Sequence, residues 1–169
     1  QHYRDARILT IYEGTNGIQA NDFVFRKIIR DEGRALLAFL KGLNNINDSL
    51  SRTNQDLYRI YSEAIQNIET SAQQILLYND AGQSEHAAAV SKPFLTQFGL
   101  TFGGVMMVKS FLKATEACAE DESTTFLKEK ILTSHYYLIK TLPLAKGYHE
   151  QVMANPDEIS GKISEWAVS

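Results

Sequence analysis

The stretch from Ile11 to Gln19 contains one carboxylate, Glu13, together with two glycines and an asparagine, and it separates two runs of helical periodicity. The backbone of a tight turn aims the side chains that it carries, so Glu13 could be presented to a ligand as a general base. The Tyr12 ring can cover one side of the Glu13 carboxylate, and Gly14 lets a ligand approach the backbone closely. Glutamates in turns are more often solvated charges or helix caps. The residue types alone leave both interpretations open.

Thr15 and Asn16 follow this carboxylate, and both are suitable N-cap residues for the next helix. The exposed N–H groups at the start of a helix favour anionic groups such as phosphate. A base beside such a helix start suits a substrate or cofactor that carries phosphates.

Other common kinds of site find little support in the sequence. No glutamate is followed three residues later by a histidine, as a di-iron bundle requires, so we expect no metal site. The chain has neither a Gly-x-Gly-x-x-Gly motif after a strand nor a Gly-Lys-Ser/Thr motif. We interpret His135 as a packed or surface residue, His149 with Glu150 as a solvated pair, and Gly103 with Gly104 as a helix packing contact.

The composition of the 169 residues is ordinary for a soluble globular chain, with 44% hydrophobic residues and a net charge of −3. This charge argues against a nucleic-acid partner, which usually needs a basic face. The single cysteine, Cys118, cannot form an internal disulfide, and we expect it to be a small buried residue. Because no apolar run approaches the ~20 residues needed to span a bilayer, we expect a cytoplasmic protein without a membrane span.

Helical periodicity continues through nearly the whole chain and predicts an all-α fold. A helical hairpin segment is expected around the Glu13 turn, and a break follows at Asp31–Gly33. Beyond it, four amphipathic helices with short connections predict an antiparallel four-helix bundle. We therefore predict two units, namely residues 1–32 with the Glu13 turn and residues 33–169 with the bundle.

Proline and glycine positions refine this prediction for the second half of the chain. We expect the helix that begins near Ser84 to kink at Pro93, because proline removes an internal hydrogen bond. Glycines at 99, 103 and 104 destabilise a helix, so they indicate close approach to a neighbouring helix. Ser123 is expected to cap the last long helix, and Pro143 to bend it. In the first half, Asn54 or Gln55 is expected to open a long helix after the polar segment 44–53, where the preceding helix ends.

Two segments near the start of the chain, read together, resemble the C-terminal signature of acyl-CoA dehydrogenases. They are Tyr3-Arg4-Asp5-Ala6-Arg7-Ile8 and Ile11-Tyr12-Glu13-Gly14-Thr15-Asn16-Gly17-Ile18-Gln19. The family pattern is Tyr-Arg-Asp-Ala-Lys/Arg-Ile, then Ile-Tyr-Glu-Gly-Thr-x-x-Ile-Gln, then a helix with an arginine, which is Arg26 here. Residues from about 33 to 166 resemble the extra helical C-terminal domain of a larger branch of this family.

The resemblance implies a flavoenzyme that oxidises an acyl-CoA to its trans-2-enoyl-CoA. Glu13 would remove the α-proton while the β-hydrogen leaves as hydride to the flavin, and its backbone N–H would help to polarise the thioester carbonyl. Gly14 and Tyr12 would lie against the substrate. The residues that would contact FAD are Thr15, Asn16, Gly17 and Gln19. The pair Asn16-Gly17 departs from the family pattern, since many members have a longer polar residue before Ile-Gln and Gly17 offers only its backbone.

The resemblance further implies an acyl-CoA substrate, FAD as cofactor, an electron-transfer flavoprotein as electron acceptor, and a homo-oligomer. A flavin pocket buries most of a large ligand, and this chain would supply only one wall of it. We therefore expect the isolated chain not to retain FAD and to be inactive. Two alternatives remain at this stage, namely a helical oligomerisation or interaction module and a DNA-alkylation-response member of the same family, which would need a basic C-terminal face.

Overall fold

The computed structural model describes residue 4, residues 16–120 and residues 124–154, and these residues form helices joined by short turns, without a strand among them. The all-α prediction is confirmed. The helices are α1 (Asn16–Asp22), which continues as a π-helical segment (Phe23–Ile29), α2 (Arg34–Lys41), α3 (Asn44–Thr53), α4 (Gln55–Asp80), α5 (Ser84–Ala89), α6 (Ser91–Ala119), α7 (Thr125–Tyr136), which continues as a second π-helical segment (Tyr137–Thr141), and α8 (Leu144–Met153).

The break predicted at Asp31–Gly33 lies where expected, between the first π-helical segment and α2. Gly33 has a φ of 71°, in the left-handed region that glycine adopts without a steric penalty. The Asp31 carboxylate accepts a hydrogen bond from the Ala35 backbone N–H at 2.9 Å. This turn therefore both ends one helix and caps the next.

Capping side chains set the starts of two long helices. Asn54 accepts a hydrogen bond from the Leu57 backbone N–H at 3.0 Å, so Asn54 is the N-cap of α4, as predicted. The predicted cap at Ser123 lies outside the described residues. The N-cap of α7 is instead Thr124, whose hydroxyl accepts from the Leu127 N–H at 3.3 Å.

The polar segment 44–53 is helical, although the sequence suggested that the preceding helix ends there. It forms α3, which begins after a turn at Gly42 and Leu43. Leu50 in α3 and Leu43 just before it are buried in the core, so tertiary packing stabilises a helix whose other residues are mostly polar.

Both predicted proline effects are present as breaks between helices. Val90 separates α5 from α6, three residues before Pro93, which thereby sits in the first turn of α6 where its missing N–H costs little. Pro143 lies between the second π-helical segment and α8. The predicted last long helix is therefore two helices.

The helices pack as a bundle around α6, which contacts α1, α3, α4, α7 and α8. Phe94, Val105 and Val108 on α6 are almost completely buried. The core also includes Val24 and Ile28 from the first π-helical segment. The boundary between residues 1–32 and 33–169 stays a prediction.

The predicted close approach at the glycines of α6 is confirmed at two of the three positions. A methyl group on Gly103 would lie 2.9 Å from Cζ of Tyr137, and one on Gly104 would lie 3.0 Å from Cδ1 of Leu142. A methyl group on Gly99 would meet nothing within 4 Å. Gly103 and Gly104 thus let α6 pack tightly against the chain segment that follows α7. Among the residues that the structure describes, no helix is both long and apolar enough to cross a membrane.

Candidate functional site

Four of the residues predicted to act on substrate or cofactor, Tyr12, Glu13, Gly14 and Thr15, lie outside the described residues. Their roles stay predictions. The described part of the candidate site begins at Asn16, which is the first residue of α1.

Asn16, Gly17 and Gln19 lie in the first turn of α1, and all three are exposed. Ile18 between them is 69% exposed. No heavy atom lies within 4 Å of the position that a Cβ atom of Gly17 would occupy. This turn therefore has free polar side chains and an open backbone surface, as one wall of a cofactor site would.

The helix that carries this turn is attached firmly to the bundle. Ala20, one turn further along α1, is completely buried. The Ser91 hydroxyl donates a 2.8 Å hydrogen bond to Oδ1 of Asn21, which joins α1 to the start of α6. The ring of Phe23 lies 5.6 Å from that of Phe94 and 4.9 Å from that of Phe98, measured between centroids. A site built on such an element would be held in a defined position.

The hydrogen bond between Asn21 and Ser91 could not be predicted from the sequence, since the two residues are 70 positions apart and both residue types are common on protein surfaces. Among the phenylalanines of α6, Phe94 is completely buried in the core, whereas Phe102 is 43% exposed. Arg26, the arginine of the family pattern, is exposed and pairs with Asp22 at 2.9 Å on the same helical surface.

The histidines and the cysteine differ in part from the sequence interpretation. His149 is not one half of a solvated pair, because its Nδ1 atom lies 2.9 Å from the hydroxyl of the completely buried Ser71. His135 is half-buried, in agreement with a packed or surface residue. Cys118 is half-buried rather than buried. No cluster of three or more metal-binding side chains exists among the described residues.

The cavities among the described residues include four that differ in size and place. The largest, of about 690 Å³, separates α3 from α6, and the second, of about 130 Å³, lies between α4 and the start of α8. A shallow one of about 500 Å³ follows the outer face of α7, and one of about 200 Å³ lies between the first π-helical segment, α2 and α6. None of these four is lined by Asn16, Gly17 or Gln19.

Residues 31–160 match the family model described as "Acetyl-CoA dehydrogenase C-terminal like". The chain belongs to this family, and the resemblance to acyl-CoA dehydrogenases seen in the sequence is confirmed.

Two curated relatives carry related names. The chain is 34% identical over 163 residues to "3-methylmercaptopropionyl-CoA dehydrogenase" of Ruegeria pomeroyi, an alignment that covers 94% of this chain and 27% of that protein. It is 27% identical over 169 residues to "Broad-specificity linear acyl-CoA dehydrogenase FadE5" of Mycobacterium tuberculosis, with 94% of this chain and 28% of that protein covered. The chain thus spans little more than a quarter of the length of either relative.

Proposed function

We propose that this chain supplies the catalytic base and the C-terminal helical domain of an FAD-dependent acyl-CoA dehydrogenase. One observation carries the proposal: the family match at residues 31–160 lies on the C-terminal side of the separate motif Tyr12-Glu13-Gly14-Thr15. Two separate parts of the chain therefore indicate the same enzyme class. The proposed enzyme acts in the cytoplasm as a homo-oligomer, with an electron-transfer flavoprotein as its electron acceptor.

In this proposal Glu13 removes the α-proton of the acyl thioester. An α-proton next to a thioester is weakly acidic, so the backbone N–H of Glu13 donates a hydrogen bond to the thioester carbonyl and stabilises the charge that develops there. Tyr12 and Gly14 form the adjacent substrate wall and help to exclude water. A carboxylate abstracts such a proton more readily when bound substrate keeps water away from it.

The described residues in the first turn of α1 are suited to contact FAD. Asn16 and Gln19 offer exposed polar side chains, and the open surface at Gly17 leaves its backbone accessible. With Thr15, they would hold part of the cofactor. FAD, when bound, accepts the β-hydrogen of the substrate as hydride. The buried side of α1 keeps these residues at a constant position relative to the bundle.

The substitution Glu13→Gln in the whole enzyme tests the proposal. It should slow the reduction of bound flavin by acyl-CoA about 10²–10⁴-fold, since that is the usual contribution of a general base, and leave the flavin content unchanged. Glu129→Gln, on the exposed surface of α7, is the matched control and should leave the rate unchanged. A loss for Glu13→Gln smaller than about tenfold would exclude base catalysis by this residue.

The flavin content of the isolated chain tests the expectation that it forms only one wall of the site. We expect the 169-residue chain to lose FAD during gel filtration and to show no dehydrogenation. Stoichiometric flavin absorbance that co-elutes with the chain would contradict this expectation.

An interaction module remains a second candidate, and one observation favours it. Phe126, Leu132 and Tyr136 on the outer face of α7 are 65%, 68% and 64% exposed. Exposed apolar residues grouped on one helix face are typical of a surface that packs against another protein. Sedimentation velocity tests whether this face of α7 is an interface: a concentration-dependent dimer that Leu132→Lys abolishes supports it, and a monomer at high concentration argues against it.

A further inference from the structure

The groove between α3 and α6 is the largest of the four described cavities, at about 690 Å³, a size in the range of small-molecule sites. Each helix contributes residues at helical spacing. Asn45, Ser49 and Arg52 face it from α3, and Lys109 and Leu112 face it from α6. The groove lies on a different pair of helices from the turn at Asn16–Gln19, so it is a separate surface.

Positive charge dominates the lining of this groove. It contains three cations, Arg52, Lys109 and Lys113, and one carboxylate, Glu116. Lys113 is paired with Glu116 at 2.8 Å. Within the described part of the chain, Arg52 and Lys109 take part in none of the salt bridges. Two of the three cations are therefore available to an anionic ligand.

The base of the groove is apolar. Ile46 and Leu112 are half-buried and pack against the hydrophobic core, so the groove presents their outer surfaces to a ligand. A ligand that matches both properties has an anionic head and an apolar body.

We propose that the groove between α3 and α6 binds a small organic anion, whose carboxylate or phosphate is held by Arg52 and Lys109 and whose apolar body lies against Ile46 and Leu112. Arginine suits such a head group because its planar guanidinium can form two parallel hydrogen bonds to carboxylate or phosphate. The proposal is independent of the proposed dehydrogenase activity, since it uses none of the residues at the start of the chain.

Isothermal titration of the 169-residue chain with three ligands of equal chain length tests the proposal. The ligands are decanoate, decyl phosphate and decyltrimethylammonium, each used below its micelle concentration. We expect decanoate or decyl phosphate to bind with one site per chain, and the tighter of the two identifies the preferred head group. The cationic ligand should bind at least about tenfold (1.4 kcal/mol) more weakly. Equal binding of all three, or binding of none, overturns the proposal.

Charge variants then locate the site. Arg52→Gln and Lys109→Gln should each weaken anion binding about tenfold (1.4 kcal/mol). Arg59→Gln is the matched control, because Arg59 is an exposed arginine on α4 and does not line the groove. Circular dichroism verifies that each variant is folded, which exposed positions favour. An equal loss in the Arg59 control, or no loss in the other two, overturns the assignment to this groove.

The variant Glu116→Gln gives a result of opposite sign. It removes the carboxylate that lines the groove and frees Lys113 from its salt bridge, so anion binding should become several-fold tighter. A merely structural effect of substitution would not strengthen binding. Unchanged or weaker binding in this variant overturns the charge-based recognition proposed here.

Discussion

Replacement of Gly103 by alanine tests the packing between α6 and the second π-helical segment. In the interior of a helix, alanine is favoured over glycine by about 1 kcal/mol, so an unhindered position would gain stability. At Gly103 the new methyl group would lie 2.9 Å from Cζ of Tyr137 and closer still to its hydroxyl oxygen. That hydroxyl donates a 3.0 Å hydrogen bond to the carbonyl of Leu100.

The tyrosine must therefore move, and its movement has two costs. Overpacking of this kind costs about 1–3 kcal/mol, and loss of the hydrogen bond costs about 1 kcal/mol. Set against the gain in helix propensity, Gly103→Ala should lower the free energy of unfolding by about 2 kcal/mol. Gly99→Ala is the matched control on the same helix, since its methyl group would meet nothing within 4 Å, and it should raise that free energy by up to about 1 kcal/mol.

Urea unfolding followed by far-ultraviolet circular dichroism measures both changes. A double-mutant cycle with Tyr137→Phe identifies the cause. Without the hydroxyl group, Gly103→Ala should cost about 1 kcal/mol less than it does in the original chain. The packing explanation is refuted if Gly103→Ala is as stable as Gly99→Ala, or if the two substitutions in the cycle are additive.

Three further predictions concern stability. Burial raises the pKa of Tyr61 from 10.0 to about 12, so the folded chain holds this proton more tightly than the unfolded chain. The contribution to the free energy of unfolding is complete below about pH 10, and it should fall by about 2–3 kcal/mol as the pH rises towards 12. In urea unfolding between about pH 9 and 12, Tyr61→Phe should abolish that fall. It should not lower the free energy of unfolding at neutral pH, because the buried hydroxyl has no partner among the described residues. Asn54→Ala should cost about 1 kcal/mol by thermal unfolding through loss of the cap on Leu57, whereas Gln55→Ala should change stability by less than about 0.5 kcal/mol. Gly33→Ala should cost about 1 kcal/mol because its φ is 71°, and a stabilised variant would contradict that backbone assignment.

Local features of the fold were predicted well from the sequence. The cap at Asn54, the break at Asp31–Gly33 and the interruptions near Pro93 and Pro143 depend on residues only a few positions apart, and all are present. The cap of α7 was placed one residue early, because Ser123 and Thr124 have the same capping chemistry. The helix at 44–53 was missed since its polar composition is ordinary for a loop, while the burial of Leu50 is a tertiary effect.

The candidate site was predictable only where it depends on a local motif. The stretch from Tyr12 to Gln19 can be recognised because its residues are contiguous. The hydrogen bond from Ser91 to Asn21, by contrast, joins residues that no periodicity connects, and it shows that α1 is fastened to the bundle. His149 is a similar case, since its partner Ser71 is 78 positions away.

The sequence by itself determined the helical class of this protein and its family, because both depend on short-range spacing of residue types. Tertiary structure decided which of several apolar helix faces is covered. On α7 and its π-helical extension, Leu138 is buried and Leu132 is exposed, although both are leucines on one continuous helix. Tertiary structure also brought Arg52 and Lys109 to one groove. Burial and long-range pairing depend on how helices distant in the chain pack together, and no local pattern contains that information.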